Sequence, residues 1–106
     1  MADAVPVRRS VAVSAERMTA HIVGHVQGVG FRWWARRQAV ALKLSGWVMN
    51  GNDERSVDVV AEGEPAALEE LARRLRAGPS GARVESFRAK RSPASGEFDE
   101  FGIVRS

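Results

Sequence analysis

Cysteine is absent from this chain of 106 residues, which excludes a disulfide framework, thiol catalysis and thiolate metal sites and fits a cytoplasmic protein. No apolar run approaches the ~20 residues that a membrane-spanning helix requires. The first sixteen residues also lack the continuous apolar core of a secretory signal. Lysine is scarce, with only Lys43 and Lys90, so the formal net charge of +3 comes mostly from arginine. The arginines are interleaved with acids, and Arg8-Arg9, Arg36-Arg37 and Arg73-Arg74 are pairs, not runs. This reads as a solvated surface; a protein that tracks nucleic-acid phosphates gathers its charge on one face.

What is present fits a single soluble domain, with 44% hydrophobic and 27% charged residues. Residues 1–16 show no sustained periodicity and read as a flexible tail ahead of a domain over residues 17–106. Alternation predicts a first strand over residues 18–24, with Ala20, Ile22 and Gly24 on one face and His21 and Val23 on the other. A helix over residues 31–43 places Phe31, Ala35, Ala39 and Leu42 on one side, and Ser45-Gly46 is expected to stop it. Strands over residues 46–49 and 56–62 form a hairpin around a polar turn.

Pro65 then opens a second helix, where its missing N–H costs nothing. Leu68, Leu71, Ala72 and Leu75 give it one apolar stripe, while Glu69 with Arg73 and Glu70 with Arg74 are expected to pair on the wet side. Gly78-Pro79-Ser80-Gly81 ends it, a fourth strand is expected over residues 83–90, and a last one over residues 98–104 follows a turn at residues 92–96. The order βαββαβ plus a terminal strand implies an α+β sandwich, with both helices on one face of a mainly antiparallel sheet. With the first two strands parallel around an inserted one, Asn50 ends near the turn that carries Arg32.

That turn is the most informative stretch. Gly24-His25-Val26-Gln27-Gly28-Val29-Gly30-Phe31-Arg32 reads as a strand end, a glycine-rich turn and a helix start. Glycines let consecutive N–H groups point into a concave cradle, the helix N-terminus faces the same way, and Arg32 adds a fork suited to phosphate or carboxylate oxygens. The stretch lacks the Gly-Lys-Ser/Thr ending of a nucleotide P-loop and the spacing of a dinucleotide fold. On spacing alone, a tight turn whose glycines serve geometry only remains an equal reading.

The two segments together resemble the acylphosphatase family. Its first motif, glycine, any residue, valine, glutamine, glycine, valine, any residue, phenylalanine, arginine, is matched from Gly24 to Arg32, and Gly46-Trp47-Val48-Met49-Asn50 matches the start of the second. Val57-Asp58-Val59-Val60-Ala61-Glu62-Gly63 is close to the family's third strand, and the resemblance covers residues 17–105. Glu54 departs from the pattern, standing where the family usually carries glycine, in a hairpin one residue longer.

The resemblance implies a ferredoxin-like fold and the hydrolysis of acyl phosphates to carboxylate and inorganic phosphate by a cytoplasmic monomer. Backbone N–H groups of Gln27, Gly28, Val29, Gly30 and Phe31 would hold the phosphoryl group with the Arg32 guanidinium, and Asn50 would position the attacking water. Arg32 and Asn50 are thus the expected catalytic residues. Carboxylate is a good leaving group, so neither cofactor nor metal is implied, and the expected partners are a small acyl phosphate and inorganic phosphate, with no nucleic acid and no membrane. A chain that ends directly after its last strand is expected to be free-standing, not part of a larger carbamoyl-phosphate enzyme.

Bland readings cover the remaining candidates. His25 occupies a variable motif position and belongs on the surface, and His21 is expected to be strand packing; two histidines without a third ligand make a poor zinc site. Trp33 and Trp34 are expected to pack on the helix, with one ring near the substrate mouth. Gln27 is expected to tie down the turn by its side chain, and Asp53-Glu54 and Asp99-Glu100 to be solvated charge. Two rivals to the enzyme stand: a non-catalytic anion-binding or regulatory module whose altered turn has lost the aim of Asn50, and an RNA-binding domain on the same architecture.

Overall fold

The computed structural model describes residues 15–105, and most of the expected tail lies outside them. Seven elements follow in order: β1 (Glu16–His25), α1 (Phe31–Ala41), β2 (Ser45–Asn50), β3 (Ser56–Gly63), α2 (Pro65–Ala77), β4 (Arg83–Pro93) and β5 (Phe101–Val104). Glu16, assigned to the tail by sequence, is the first residue of β1 and pairs with Gly63 and Pro93.

The five strands form one sheet in the order β4-β1-β3-β2-β5. All neighbours are antiparallel except β2 and β5. Because β1 and β2 both run antiparallel to β3, they are parallel to each other, and their C-terminal tips share one pole of the sheet. This is the expected ferredoxin-like α+β arrangement, with both helices on one face.

The core lies between that face and the helices. Met18, Ala20 and Ile22 of β1 alternate with outward residues as a half-buried strand requires, and they meet Val57, Val59 and Ala61 of β3. Phe31, Ala35 and Ala39 supply the buried stripe of α1, and Leu68, Leu71, Ala72 and Leu75 that of α2. These are the expected positions, since spacing of three and four residues puts side chains on one helical face.

Several boundaries move. Helix α1 stops two residues earlier than its apolar pattern, because Lys43 takes a left-handed conformation (φ 62°) and Leu44 N–H turns back to the Ala39 carbonyl at 2.9 Å. Ser45-Gly46 is therefore not the stop but the start of β2. Strand β4 runs on through Ser92 and Pro93, so no turn begins there. It lies at one edge of the sheet and β5 at the other, so residues 94–100 must cross between edges, which shortens β5 to four residues.

The crossing segment is held by a buried acid that sequence reasoning missed. Glu62 is 5% exposed, and its carboxylate accepts bonds from Ser95 N–H (2.9 Å), Ser95 Oγ (2.9 Å), Gly96 N–H (3.0 Å) and Arg17 Nε (2.7 Å). Burial alone would raise its pKa; the Ser95 and Gly96 N–H groups, Arg17 and the Ser95 hydroxyl outweigh that and hold it at about 2. The paired charges on α2 also differ from expectation. Glu70 bonds both Arg74 (2.8 Å) and Arg73, whereas Glu69 reaches Arg91 of β4 at 3.1 Å instead of Arg73.

Candidate active site

Two buried anchors shape the loop between β1 and α1. Val26 and Phe31 are each 1% exposed, so the intervening residues arch outward between points fixed in the core. Phe31 also meets Trp34 edge-on, with ring centroids 5.4 Å apart. At the crest Gly28 (φ 75°) and Gly30 (φ 76°) are exposed and left-handed, a conformation that costs a side-chain-bearing residue about 1–2 kcal/mol. Gly24, the first glycine of the motif, takes no part in the crest; it is buried in β1 beside a shift of register with β4.

Gly30 is the N-cap of α1, with no side-chain capping bond and no acid in the first turn. The first intrahelical bond runs from Trp34 N–H to the Gly30 carbonyl at 3.0 Å. The N–H groups of Phe31, Arg32 and Trp33 thus lack intrahelical partners. They carry the partial positive charge of the helix end, which favours an anion. Arg32 is half-buried in that first turn, and among the described residues it forms no ion pair with a carboxylate.

Asn50 ends β2 and pairs with Val57 of β3, which pairs on its other side with Ile22 of β1. Ile22, Val57 and Asn50 form one row, and all three face the helices. Two interstrand spacings, about 9.5 Å, therefore separate the Asn50 backbone from β1 at Ile22, two residues before the motif glycine Gly24. The Asn50 Oδ1 is buried and, among the described residues, has no hydrogen-bond partner. An unpaired buried acceptor is uncommon in folded proteins and marks a position where an incoming donor would be stabilised.

Gln27 joins the two halves, as its expected supporting role requires. Its Nε2 donates to the Ser56 carbonyl at 2.7 Å and reaches the Gly51 carbonyl at 3.4 Å, so one amide touches both ends of the turn after Asn50. That turn is tied in three further ways. Gly51 N–H bonds to Ser56 O (2.9 Å), Gly24 N–H to Arg55 O (2.8 Å), and the Asp53 carboxylate accepts from Ser56 Oγ (2.8 Å) and Arg55 N–H (3.1 Å). The Ser56 hydroxyl and the Arg55 N–H hold the Asp53 carboxyl below its ordinary range. Asp53 was expected to be merely solvated; an aspartate two and three residues before the N–H and hydroxyl that donate to it is the local signal that could have marked it.

Glu54 has φ 63°, the left-handed region that glycine occupies without cost. The departure from the motif thus keeps a conformation that glycine would favour. Of the remaining candidates, His25 is exposed, as expected. His21 stands half-exposed on the open face of the sheet, its Nδ1 2.7 Å from Asp58 Oδ1 on the neighbouring strand. Trp34 packs against the core, whereas Trp33 is 55% exposed. Among the described residues no group of three His, Asp or Glu side chains converges as a metal site would. No helix there is long and apolar enough to cross a membrane.

Fold and site define a small α+β protein with a glycine-rich loop, an uncapped helix N-terminus and a guanidinium at one pole of its sheet. A model of the family described as Acylphosphatase matches residues 18–103, and the chain belongs to the acylphosphatase family. It is 46% identical over 88 residues to an acylphosphatase of Paenarthrobacter aurescens strain TC1, covering 83% of this chain and 93% of that one. Among solved structures it is similar to an acylphosphatase from Bacillus subtilis, with TM-score 0.79 and 31% identity over 84% of this chain and 98% of the other. Another, from Coxiella burnetii, gives TM-score 0.81 and 27% identity over 93% and 100% of the two chains.

Proposed function

We propose that this protein hydrolyses acyl phosphates to a carboxylate and inorganic phosphate, with the loop from Gln27 to Phe31 and Arg32 holding the phosphoryl group and Asn50 placing the water. The N–H groups of the loop and the Arg32 fork meet the phosphoryl oxygens, where charge is redistributed in a loose transition state. Asn50 Oδ1 accepts a hydrogen bond from the water and turns its lone pair toward phosphorus. The water oxygen forms the new P–O bond while the bond to the acyl oxygen breaks, its electron pair leaving on the carboxylate. One water proton stays on the attacking oxygen and the other passes to a phosphoryl oxygen, since an amide is no base near neutral pH.

The observation that carries this reading is the buried, unpartnered Oδ1 of Asn50 on the helix-facing row next to the cradle. Family membership supports the reaction, and the reading extends to a monomer in the cytoplasm, supported by a chain without cysteine. The test is hydrolysis of benzoyl phosphate with EDTA present. Asn50→Ala should lose turnover by a factor of about a hundred or more while still being protected by inorganic phosphate against thermal unfolding. Arg32→Ala should lose both turnover and that protection. Near wild-type turnover in Asn50→Ala overturns the water-placing role, and phosphate binding without any turnover in the wild type overturns the hydrolase.

A further inference from the structure

A groove of about 340 Å³ is lined by Trp33, Arg36, Ile103 and Arg105. Its walls start where the proposed catalytic residues stand. Trp33 follows Arg32 in the first turn of α1, and Arg36 lies one turn further along the same helical face as Arg32, with Cβ atoms about 5–6 Å apart. On the other side, Val104 of β5 pairs in parallel with Met49, so Arg105 runs on beside Asn50. The groove therefore adjoins the phosphoryl cradle on the side of α1 and β5.

Its lining is of two kinds. Trp33, 55% exposed, and Ile103 offer an apolar and partly aromatic wall. Arg36 and Arg105 offer two guanidinium groups, neither of which pairs with a carboxylate among the described residues. Arg36 is already held: its Nε donates to the Phe101 carbonyl at 3.2 Å, which fixes the fork against β5 and leaves its terminal nitrogens to donate elsewhere. A large exposed indole beside two such cations gains nothing from internal packing, and it suits a ligand with a flat or apolar body and an anionic end.

Resting on the acyl phosphate chemistry proposed above, we propose that this groove is the acyl-group subsite and selects acyl phosphates whose acyl part carries a second anionic group. The phosphoryl end enters the cradle, the acyl body lies along Trp33 and Ile103, and the distal anion meets Arg36 and Arg105. Its volume is several times that of an acetyl group and takes a ring or a short chain. Specificity here comes from the anion, since an apolar wall alone discriminates weakly.

Matched aromatic substrates test this without internal cyclisation: benzoyl phosphate, 4-carboxybenzoyl phosphate and 4-phosphonobenzoyl phosphate. Wild-type kcat/KM should be about tenfold higher for the carboxylated or phosphonated compound than for benzoyl phosphate, mainly through KM, and the preference should shrink with added salt. The two para anions separate carboxylate from phosphate-like recognition, and preference for either supports the subsite. Arg105→Ala should bring the ratio close to one and Arg105→Lys should restore part of it. Arg36→Ala should act likewise; because Arg36 also braces β5, Arg105→Ala decides if that variant is poorly folded. A wild-type ratio near one, or a ratio that survives Arg105→Ala, overturns the subsite alone. A wild type that hydrolyses none of the three compounds overturns the hydrolase reading beneath it.

Discussion

The side-chain amide of Gln27 donates to the Ser56 carbonyl at 2.7 Å, joining the glycine-rich loop before α1 to the strand that follows the Asn50 turn. Ser56 is itself 2% exposed, and removing the Gln27 donor takes away one of the two bonds its carbonyl accepts, leaving the one from Gly51 N–H. Gln27→Ala is expected to lower kcat/KM about tenfold with only a small loss of stability, because the strands keep their ladder. Gln27→Glu should be worse than Gln27→Ala, since it sets an acceptor against two carbonyls. Steady-state kinetics with a parallel thermal melt check both, and equal activity in all three proteins refutes the coupling.

Two left-handed positions are held by residues with side chains. Lys43 ends α1 at φ 62° and Glu54 crosses the second turn at φ 63°. Glycine removes the strain there, net of its greater freedom in the unfolded chain, so Lys43→Gly and Glu54→Gly should each stabilise by about 0.5–1 kcal/mol. Urea midpoints measure this. A destabilised Glu54→Gly would mean that its side chain does something the turn geometry does not explain.

Acid should attack the protein at the pole remote from the cradle. Glu62 is held at about 2, against an ordinary 4.5, by the donors that surround it. Above the ordinary value the carboxylate is ionised in both folded and unfolded chains and its stabilisation is complete. As pH falls from 4.5 toward about 2 the unfolded chain takes up the proton first, and stability on the order of 2 kcal/mol is lost. Glu62→Gln should be less stable at neutral pH and show a flatter decline through this window. Chemical denaturation between pH 6 and pH 2.5 compares the two slopes; parallel slopes would refute the role.

Phe31 is both a core residue and the base of the cradle. Being 1% exposed and in edge contact with Trp34, its truncation to Ala should cost about 3–5 kcal/mol. Phe31→Leu, which keeps most of the volume, should retain the fold and raise KM, because the arch from Val26 loses its firm end. Denaturation and kinetics on the two variants separate packing from loop shape.

What was legible in the sequence is what lies close together along it. Leu68, Leu71, Ala72 and Leu75 announce α2 because helical period and burial coincide there. The glycine-rich loop between β1 and α1 was legible because its residues are consecutive. Glu62 was not, since its partners Ser95 and Gly96 lie 33 and 34 residues away and become neighbours only when residues 94–100 cross between the sheet edges. Glu69 turned to Arg91 because α2 packs beside β4, and His21 to Asp58 because strand register makes them neighbours; neither follows from chain spacing. The stop of α1 escaped because Lys43 is chemically unremarkable, and the left-handed backbone that ends the helix is imposed by the path into β2.

The place of β1 between β3 and β4 has a consequence for how the molecule is made. The tip of β1 acquires its shape only after distant segments of the chain, Arg55 and Ser56 on one side and Arg83 and Val84 on the other, have docked against it. Unfolded or half-folded chains hold no such loop, so on the proposed reading inorganic phosphate would bind the finished protein alone. At a hundred times its Kd the ion would then add about 2.7 kcal/mol by mass action. The product of the reaction thus serves as a fastener for its own catalyst.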